Sequence, residues 1–85
     1  MTNVILTLRI FPSDVNIDLN ILKKKILEKV GNIVIREEPI GFGLTALIIN
    51  VLVEDKEGET EKIENLLRNI EGVGELEIIE VSRTL

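Results

Sequence analysis

The chain has 85 residues, a formal net charge of −5 and 45% hydrophobic residues, which predicts a single domain over residues 1–85 with one modest core. It contains no histidine and no cysteine, which excludes disulfides, thiolate chemistry and the usual general base. Two phenylalanines are its only aromatic residues, and with the acidic balance they argue against direct nucleic-acid binding. No apolar run approaches the ~20 residues of a membrane span, and the alternating first residues are not typical of a signal peptide.

The first strand and the first helix are indicated by two different hydrophobic periods. Residues 3–11 alternate and predict a strand with one buried face, made of Val4, Leu6, Leu8 and Ile10. Apolar residues at positions 19, 22, 26 and 30 predict a helix over residues 19–30. Asp18 is expected as its N-cap, and Gly31 as the left-handed residue that ends it.

Two strands are predicted next along the chain. Residues 33–37 form a short strand, and Pro39 places it at a sheet edge because proline cannot donate to a strand ladder. Residues 44–53 are apolar on both faces, which is typical of a central strand. Between these strands lies the turn Gly41-Phe42-Gly43.

The last two elements are a helix and a strand. Residues 61–71 repeat apolar side chains at helical spacing, and Thr60 is the expected N-cap. Residues 75–83 alternate again, with a change of phase at Ile78 and Ile79 that predicts a β-bulge.

The order β-α-β-β-α-β predicts a ferredoxin-like α+β fold. In this fold a four-stranded antiparallel sheet with strand order 4-1-3-2 carries both helices on one face. The other face is expected to be semi-apolar and largely uncovered, which fits either ordinary exposed surface or a partner site. Its residues would be Ile5, Thr7, Arg9, Ile48, Asn50 and Leu52.

The turn within EEPIGFGLTAL, residues 37–47, is unusual because it holds an aromatic residue between two glycines. A phosphate-binding loop is not indicated, since a strand follows the glycines where a helix is needed. Two readings stay open: Phe42 folds back over the end of the sheet, or it projects as an anchor into a pocket on a partner.

Other polar groups give weaker signals. The acidic loop over residues 54–59 fits a solvated loop better than a cation site, and no metal or cofactor is expected. Glu37 and Glu38 are neighbours on a strand and should point to opposite faces, which disfavours a paired-carboxylate active site. Serines and threonines have no histidine to activate them, so we expect no enzymatic activity.

The stretches EEPIGFGLTALIINVLVEDKEG and IEGVGELEIIEVSR resemble the guanine-nucleotide exchange domain of the translation elongation factor 1-beta family, in particular its archaeal form. The resemblance covers essentially the whole chain and implies the same ferredoxin-like fold. It also implies a cytoplasmic exchange factor, without bond chemistry, that speeds GDP release from the GTPase elongation factor 1-alpha during protein synthesis. We expect it to be monomeric when free.

The resemblance further implies two groups of partner-binding residues. The turn residues Pro39, Ile40, Gly41, Phe42 and Gly43 match the family motif, with Phe42 as the contact aromatic. The C-terminal residues Arg83, Thr84 and Leu85 correspond to the region where eukaryotic relatives place a lysine next to the C-terminus. Here that position holds Thr84, so Arg83 is the nearest base, and a guanidinium differs from an ammonium in shape and hydration.

Three rival functions remain on the same fold. A small-molecule-sensing regulatory domain would use a glycine-containing turn after the first strand, whereas this chain has Phe11-Pro12-Ser13-Asp14 there. An RNA-recognition sheet would need aromatic residues on the open face. A small enzyme using Glu37 or Glu38 would need a cleft. The sequence alone leaves open where the C-terminus lies relative to Phe42.

Overall fold

Six elements build the fold in the computed structural model, which describes residues 3–31 and 33–83. They are, in order, β1 (Asn3–Pro12), α1 (Leu19–Lys29), β2 (Ile33–Gly41), β3 (Leu44–Glu54), α2 (Glu59–Arg68) and β4 (Val73–Arg83). The antiparallel sheet has the order β2-β3-β1-β4, which is the predicted order 4-1-3-2 read from the other edge. The ferredoxin-like class is therefore confirmed. Among the described residues, neither helix is long and apolar enough to cross a bilayer.

The core lies between the helices and one face of the sheet. Alternate residues of β1 and β3 point into it, as the period of two predicts. Both helices bury their apolar stripes against this same face, which places them on one side of the sheet. The strand residues are Val4, Leu6, Leu8, Ile10, Leu47, Ile49, Val51 and Val53, and the helix residues include Leu22, Ile26 and Leu67.

Helix α1 begins as predicted and ends differently. One carboxylate oxygen of Asp18 accepts hydrogen bonds from the backbone N–H groups of Asn20 at 2.9 Å and Ile21 at 3.3 Å. The prediction of a left-handed Gly31 is wrong, because the described glycines with positive φ do not include it. Instead Val30 ends the helix in an extended conformation, with φ −130° and ψ 98°. Val30 itself is buried in the core.

Helix α2 begins before the predicted cap and also ends earlier, at Arg68 rather than residue 71. The N-cap is Gly58 with φ 88°, and the prediction of Thr60 is wrong. The left-handed glycine turns the chain out of the acidic loop, and its carbonyl accepts the N–H of Lys62 at 3.0 Å. Thr60 therefore lies inside the first turn, between acidic residues whose charge suits a helix N-terminus.

The two edge strands each contain an irregularity. In β4, Thr7 pairs with Glu80 and Leu8 with Ile78, so Ile79 is the extra residue of the predicted bulge. Strand β2 is at the other edge, as Pro39 predicts, but it continues through the proline to Gly41.

The helix-free face is less open than expected. Ile48 lies in its middle and has a relative exposure of only 1%. Arg9, its partner on β1, forms ion pairs with Glu38 on one side at 3.2 Å and with Glu77 on the other at 2.6 Å. Because β3 lies between β1 and β2, the Arg9–Glu38 pair crosses over the position of Ile48. The expectation of a largely uncovered face is wrong at its centre, and Leu52 is the exposed apolar residue among those expected.

Candidate functional site

The turn between β2 and β3 has a strained backbone. Gly41 pairs with Leu44, so the connection consists of Phe42 and Gly43 alone. Their φ angles are 54° and 75°, and Gly41 before them has φ 96°. Positive φ at both central positions is the pattern of a type I′ hairpin turn, which favours asparagine or glycine. Phe42 is the one non-glycine residue with positive φ in the described part of the chain.

The side chain of Phe42 points away from its own domain, with a relative exposure of 101%. The reading in which the ring folds back over the sheet is therefore wrong. A left-handed conformation costs an L-residue about 1–2 kcal/mol, and here no burial of the ring offsets it. Strain of this kind in an exposed aromatic residue points to a role outside the fold itself.

The predicted turn residues form one continuous surface at the end of the hairpin. Pro39 pairs with Thr45 and Gly41 with Leu44, so Ile40 is an extra residue that bulges from the ladder. Pro39 is exposed and Ile40 is half-buried. The bulge and the turn together carry Phe42 beyond the last paired residues of the sheet.

Two further loops lie at the same end. Pro12 at the end of β1 pairs with Val73 at the start of β4, and the N–H of Ser13 donates to the carbonyl of Gly72 at 2.9 Å. We call this end of the molecule, made of residues 13–18, 41–43 and 69–72, the tip. Phe42 is thus one part of a surface built from all three connections at that end.

Arg83 lies at the opposite end of the sheet. It pairs with Val4, and Val4 pairs with Val53 near the end of β3. Leu44 and Val53 are nine residues apart on β3, which corresponds to about 30 Å along a strand. The structure therefore separates Phe42 from Arg83, two residues that the sequence analysis grouped as partner-binding. Thr84 and Leu85 lie outside the described residues.

Arg83 is held by an ion pair with Asp55, in the loop between β3 and α2. Its side chain is still largely exposed. The acidic loop therefore uses one of its carboxylates to hold the end of β4. Within residues 3–31 and 33–83, no group of three or more acidic residues is arranged to hold a metal ion.

Glu37 and Glu38 do not form a catalytic pair. Glu37 faces the helices and pairs with Lys23 at 2.5 Å, whereas Glu38 lies on the opposite face and pairs with Arg9. The two carboxylates therefore act in separate structural ion pairs.

The grooves beside α1 are small. One has a volume of about 60 Å³ and the other about 110 Å³, whereas small-molecule sites usually measure about 300–1,000 Å³. Neither groove favours the alternative of a small-molecule-sensing domain.

One exposed apolar residue of the tip was missed by the sequence analysis. Val15 lies in the loop between β1 and α1 and has a relative exposure of 63%. The sequence could have indicated Val15 for the same reason as Phe42, because each is an apolar residue in a turn. Val15 stands there between Asp14 and Asn16.

The fold and the tip together define a ferredoxin-like α+β domain that presents an exposed aromatic residue at one end of its sheet. Residues 5–84 match the family model described as the EF-1 guanine nucleotide exchange domain, and the chain belongs to this family. The resemblance stated from the sequence is thereby confirmed, and a guanine nucleotide exchange role in the EF-1 family follows from it.

Relatives of similar length support the assignment. Elongation factor 1-beta of Methanothermobacter thermautotrophicus is 42% identical, and the alignment covers 100% of both chains. The protein of the same name from Methanosphaerula palustris is 45% identical over 99% of this chain and 100% of its own. Elongation factor 1-beta of Thermoplasma volcanium is 37% identical over 96% of this chain and 98% of its own.

Proposed function

We propose that this chain accelerates the release of GDP from the GTPase elongation factor 1-alpha, so that GTP can bind in its place. The family match and the names of the relatives support an exchange role. A chain without histidine or cysteine suits this role, because exchange requires binding and no bond chemistry. The single observation that carries the proposal is the strained, fully exposed Phe42.

Phe42 acts as the anchor that enters an apolar pocket of the GTPase. Complete burial of such a side chain contributes roughly 1.5–3 kcal/mol. The tight turn holds the backbone of Phe42 in place before binding, which reduces the entropy lost when the complex forms. Aromatic residues, phenylalanine among them, are enriched in the buried centres of protein interfaces.

Exchange follows if the pocket for Phe42 is open mainly in the nucleotide-free GTPase. By thermodynamic linkage, the factor by which this chain prefers the empty GTPase is the factor by which it weakens GDP binding. Each ~1.4 kcal/mol of preference corresponds to a tenfold weaker affinity for GDP. Burial of Phe42 in the empty state alone can therefore supply about a tenfold to a hundredfold effect.

Arg83 supplies a second contact at the other end of the molecule. Its guanidinium is largely exposed and close to the last residues of the chain. A base placed near the magnesium site of the GTPase would repel the metal ion, which is often the largest local charge in such a site. Because about 30 Å of sheet separate Arg83 from Phe42, the GTPase must contact this domain along most of its 41 Å length.

Release of a fluorescent GDP analogue from the GTPase, followed by stopped flow, tests the role of Phe42. We expect Phe42→Ala to lose most of the acceleration and to keep its fold. Leu27→Ala is the matched control, because Leu27 is also an exposed large apolar residue but lies on helix α1, outside the sheet whose two ends carry the proposed contacts. Near wild-type acceleration by Phe42→Ala would show that the ring is not the anchor.

A pull-down with the GTPase tests exchange itself. We expect the chain to retain the nucleotide-free GTPase and to release it when GDP is added in excess. Retention that GDP does not affect would contradict the linkage on which the proposal depends.

A further inference from the structure

A narrow groove runs across the tip between the loop after β1 and the hairpin turn. Val15 and Ile17 line it on one side, and Gly43, Leu44 and Thr45 line it on the other. Its volume is about 60 Å³, which is about twice the liquid volume that one water molecule takes up. Gly43, which follows Phe42 in the turn, is therefore also part of the groove lining.

The loop that holds Val15 is fixed by its own backbone. The carboxylate of Asp14 accepts the N–H of Asn16 at 2.9 Å, and its carbonyl accepts the N–H of Ile17 at 3.2 Å. The N–H of Ser13 is bonded to Gly72. A Cβ atom added at Gly74 would lie 3.0 Å from both the carbonyl oxygen of Phe11 and the Cα of Ser13, so the two chain segments pack backbone to backbone. Val15 thus has a defined position before any partner binds.

The tip is acidic on balance. Its ionisable residues are Asp14, Asp18 and Glu71, and Lys25 of α1 lines one groove together with Asp18 and Glu71. This acidic rim, with three carboxylates against one lysine, fits a partner surface whose apolar pocket is bordered by basic side chains.

We infer that Val15 forms a second apolar contact with the same GTPase, and that a side chain of the GTPase fills the groove between Val15 and Leu44. This inference rests on the proposed function, since it extends the Phe42 contact across the tip. The GTPase surface it requires is apolar opposite Phe42 and Val15 and basic around them. The contact is continuous with the Phe42 turn, because Gly43 belongs to both the turn and the groove.

A matched pair of valine variants tests the inference. Val15 and Val34 have the same relative exposure of 63%, but Val34 lies outside the tip, on β2 at the sheet edge opposite to the strand of Arg83. We expect Val15→Ser to weaken the affinity for nucleotide-free GTPase by about tenfold, and Val34→Ser to leave it within about twofold of wild type. The measurement is the dissociation constant from isothermal titration, with thermal unfolding showing that both variants fold.

The outcomes distinguish this inference from the proposed function. If Phe42→Ala weakens binding but Val15→Ser does not, the groove contact is wrong and the Phe42 anchor stands. Equal losses for Val15→Ser and Val34→Ser also overturn the groove contact. If the wild-type chain does not bind the GTPase at all, the proposed function itself fails.

The charge of the rim gives an independent measurement. We expect the association rate constant for the GTPase to fall as the salt concentration rises from about 0.1 M to about 1 M, because salt screens attraction between exposed charges. Asp14→Asn retains an oxygen for the N–H of Asn16 while removing one charge, and it should make this salt dependence shallower. A rate constant that rises with salt, or a slope that Asp14→Asn leaves unchanged, would contradict a basic partner surface.

Discussion

Arg9 of β1 lies directly opposite Ile48 of β3, and Ile48 is buried although both helices pack on the other face of the sheet. The hydrogen bond that the Arg9 guanidinium donates to Glu77 raises the pKa of Arg9 above its usual value, and Glu38 raises it further. Arg9 is therefore permanently charged. It links three strands through its two ion pairs while its side chain shields an apolar residue beneath it.

Replacing Arg9 should destabilise the fold by uncovering Ile48. We expect Arg9→Ala to lower the Tm and the urea midpoint, because it removes both ion pairs and the cover of a buried side chain. Arg36→Ala is the control, since Arg36 also pairs with Ile48 but is exposed at the edge strand. Its stability should stay within about 0.5 kcal/mol of wild type. Equal midpoints for the two variants in circular dichroism would show that Arg9 does not shield Ile48.

The two helix N-termini predict different responses to the loss of a polar side chain. Asp18→Ala removes an acceptor for two backbone N–H groups and should lower the free energy of unfolding by about 1 kcal/mol. Thr60→Ala should change it by less than about 0.5 kcal/mol, because Gly58 is the N-cap of α2. Urea unfolding of both variants measures the difference. A larger loss for Thr60→Ala would mean that this threonine has a capping role after all.

The sequence predicts those features that depend on neighbouring residues. The period of two in β1 and β3 identifies the buried faces, and the change of phase at Ile79 identifies the bulge. The element order then leaves few possible topologies, so the sheet order is predictable. Two helix ends were less predictable. Helix α1 ends at the buried Val30, and helix α2 begins at the left-handed Gly58.

Features that depend on distant pairings could not be predicted. The two ion pairs above Ile48 join Arg9 to Glu38 and Glu77. These three residues come together only when the strand register is set. The same register places Arg83 far from Phe42. The turn residues of the candidate site are contiguous in sequence, so the sequence places them together, but the direction of the Phe42 side chain follows from its backbone dihedral angles.

The conformation of Phe42 predicts a variant that is more stable and less active. Asparagine tolerates the left-handed region and is preferred in type I′ turns. We expect Phe42→Asn to raise the free energy of unfolding by about 1 kcal/mol and to lose most of the exchange activity. Urea unfolding and GDP-release kinetics on the same preparation measure both effects.

Phe42→Leu serves as the control for this trade-off. Leucine keeps an apolar side chain but relieves none of the backbone strain, so its stability should stay close to wild type. If Phe42→Asn is no more stable than Phe42→Leu, the turn does not store the expected strain.

The ion pair between Arg83 and Asp55 predicts how the second end of the molecule takes part in exchange. Arg83→Ala should slow GDP release more than Thr84→Ala, because it removes the base proposed to act near the metal site of the GTPase. Asp55→Asn should leave exchange at or above the wild-type rate, since it frees Arg83 from its partner. Each variant should change the free energy of unfolding by less than about 1 kcal/mol, because the pair is at the surface. Stopped-flow measurements of GDP release compare the rates of these variants. Equal rates for Arg83→Ala and Thr84→Ala would show that Arg83 has no part in exchange.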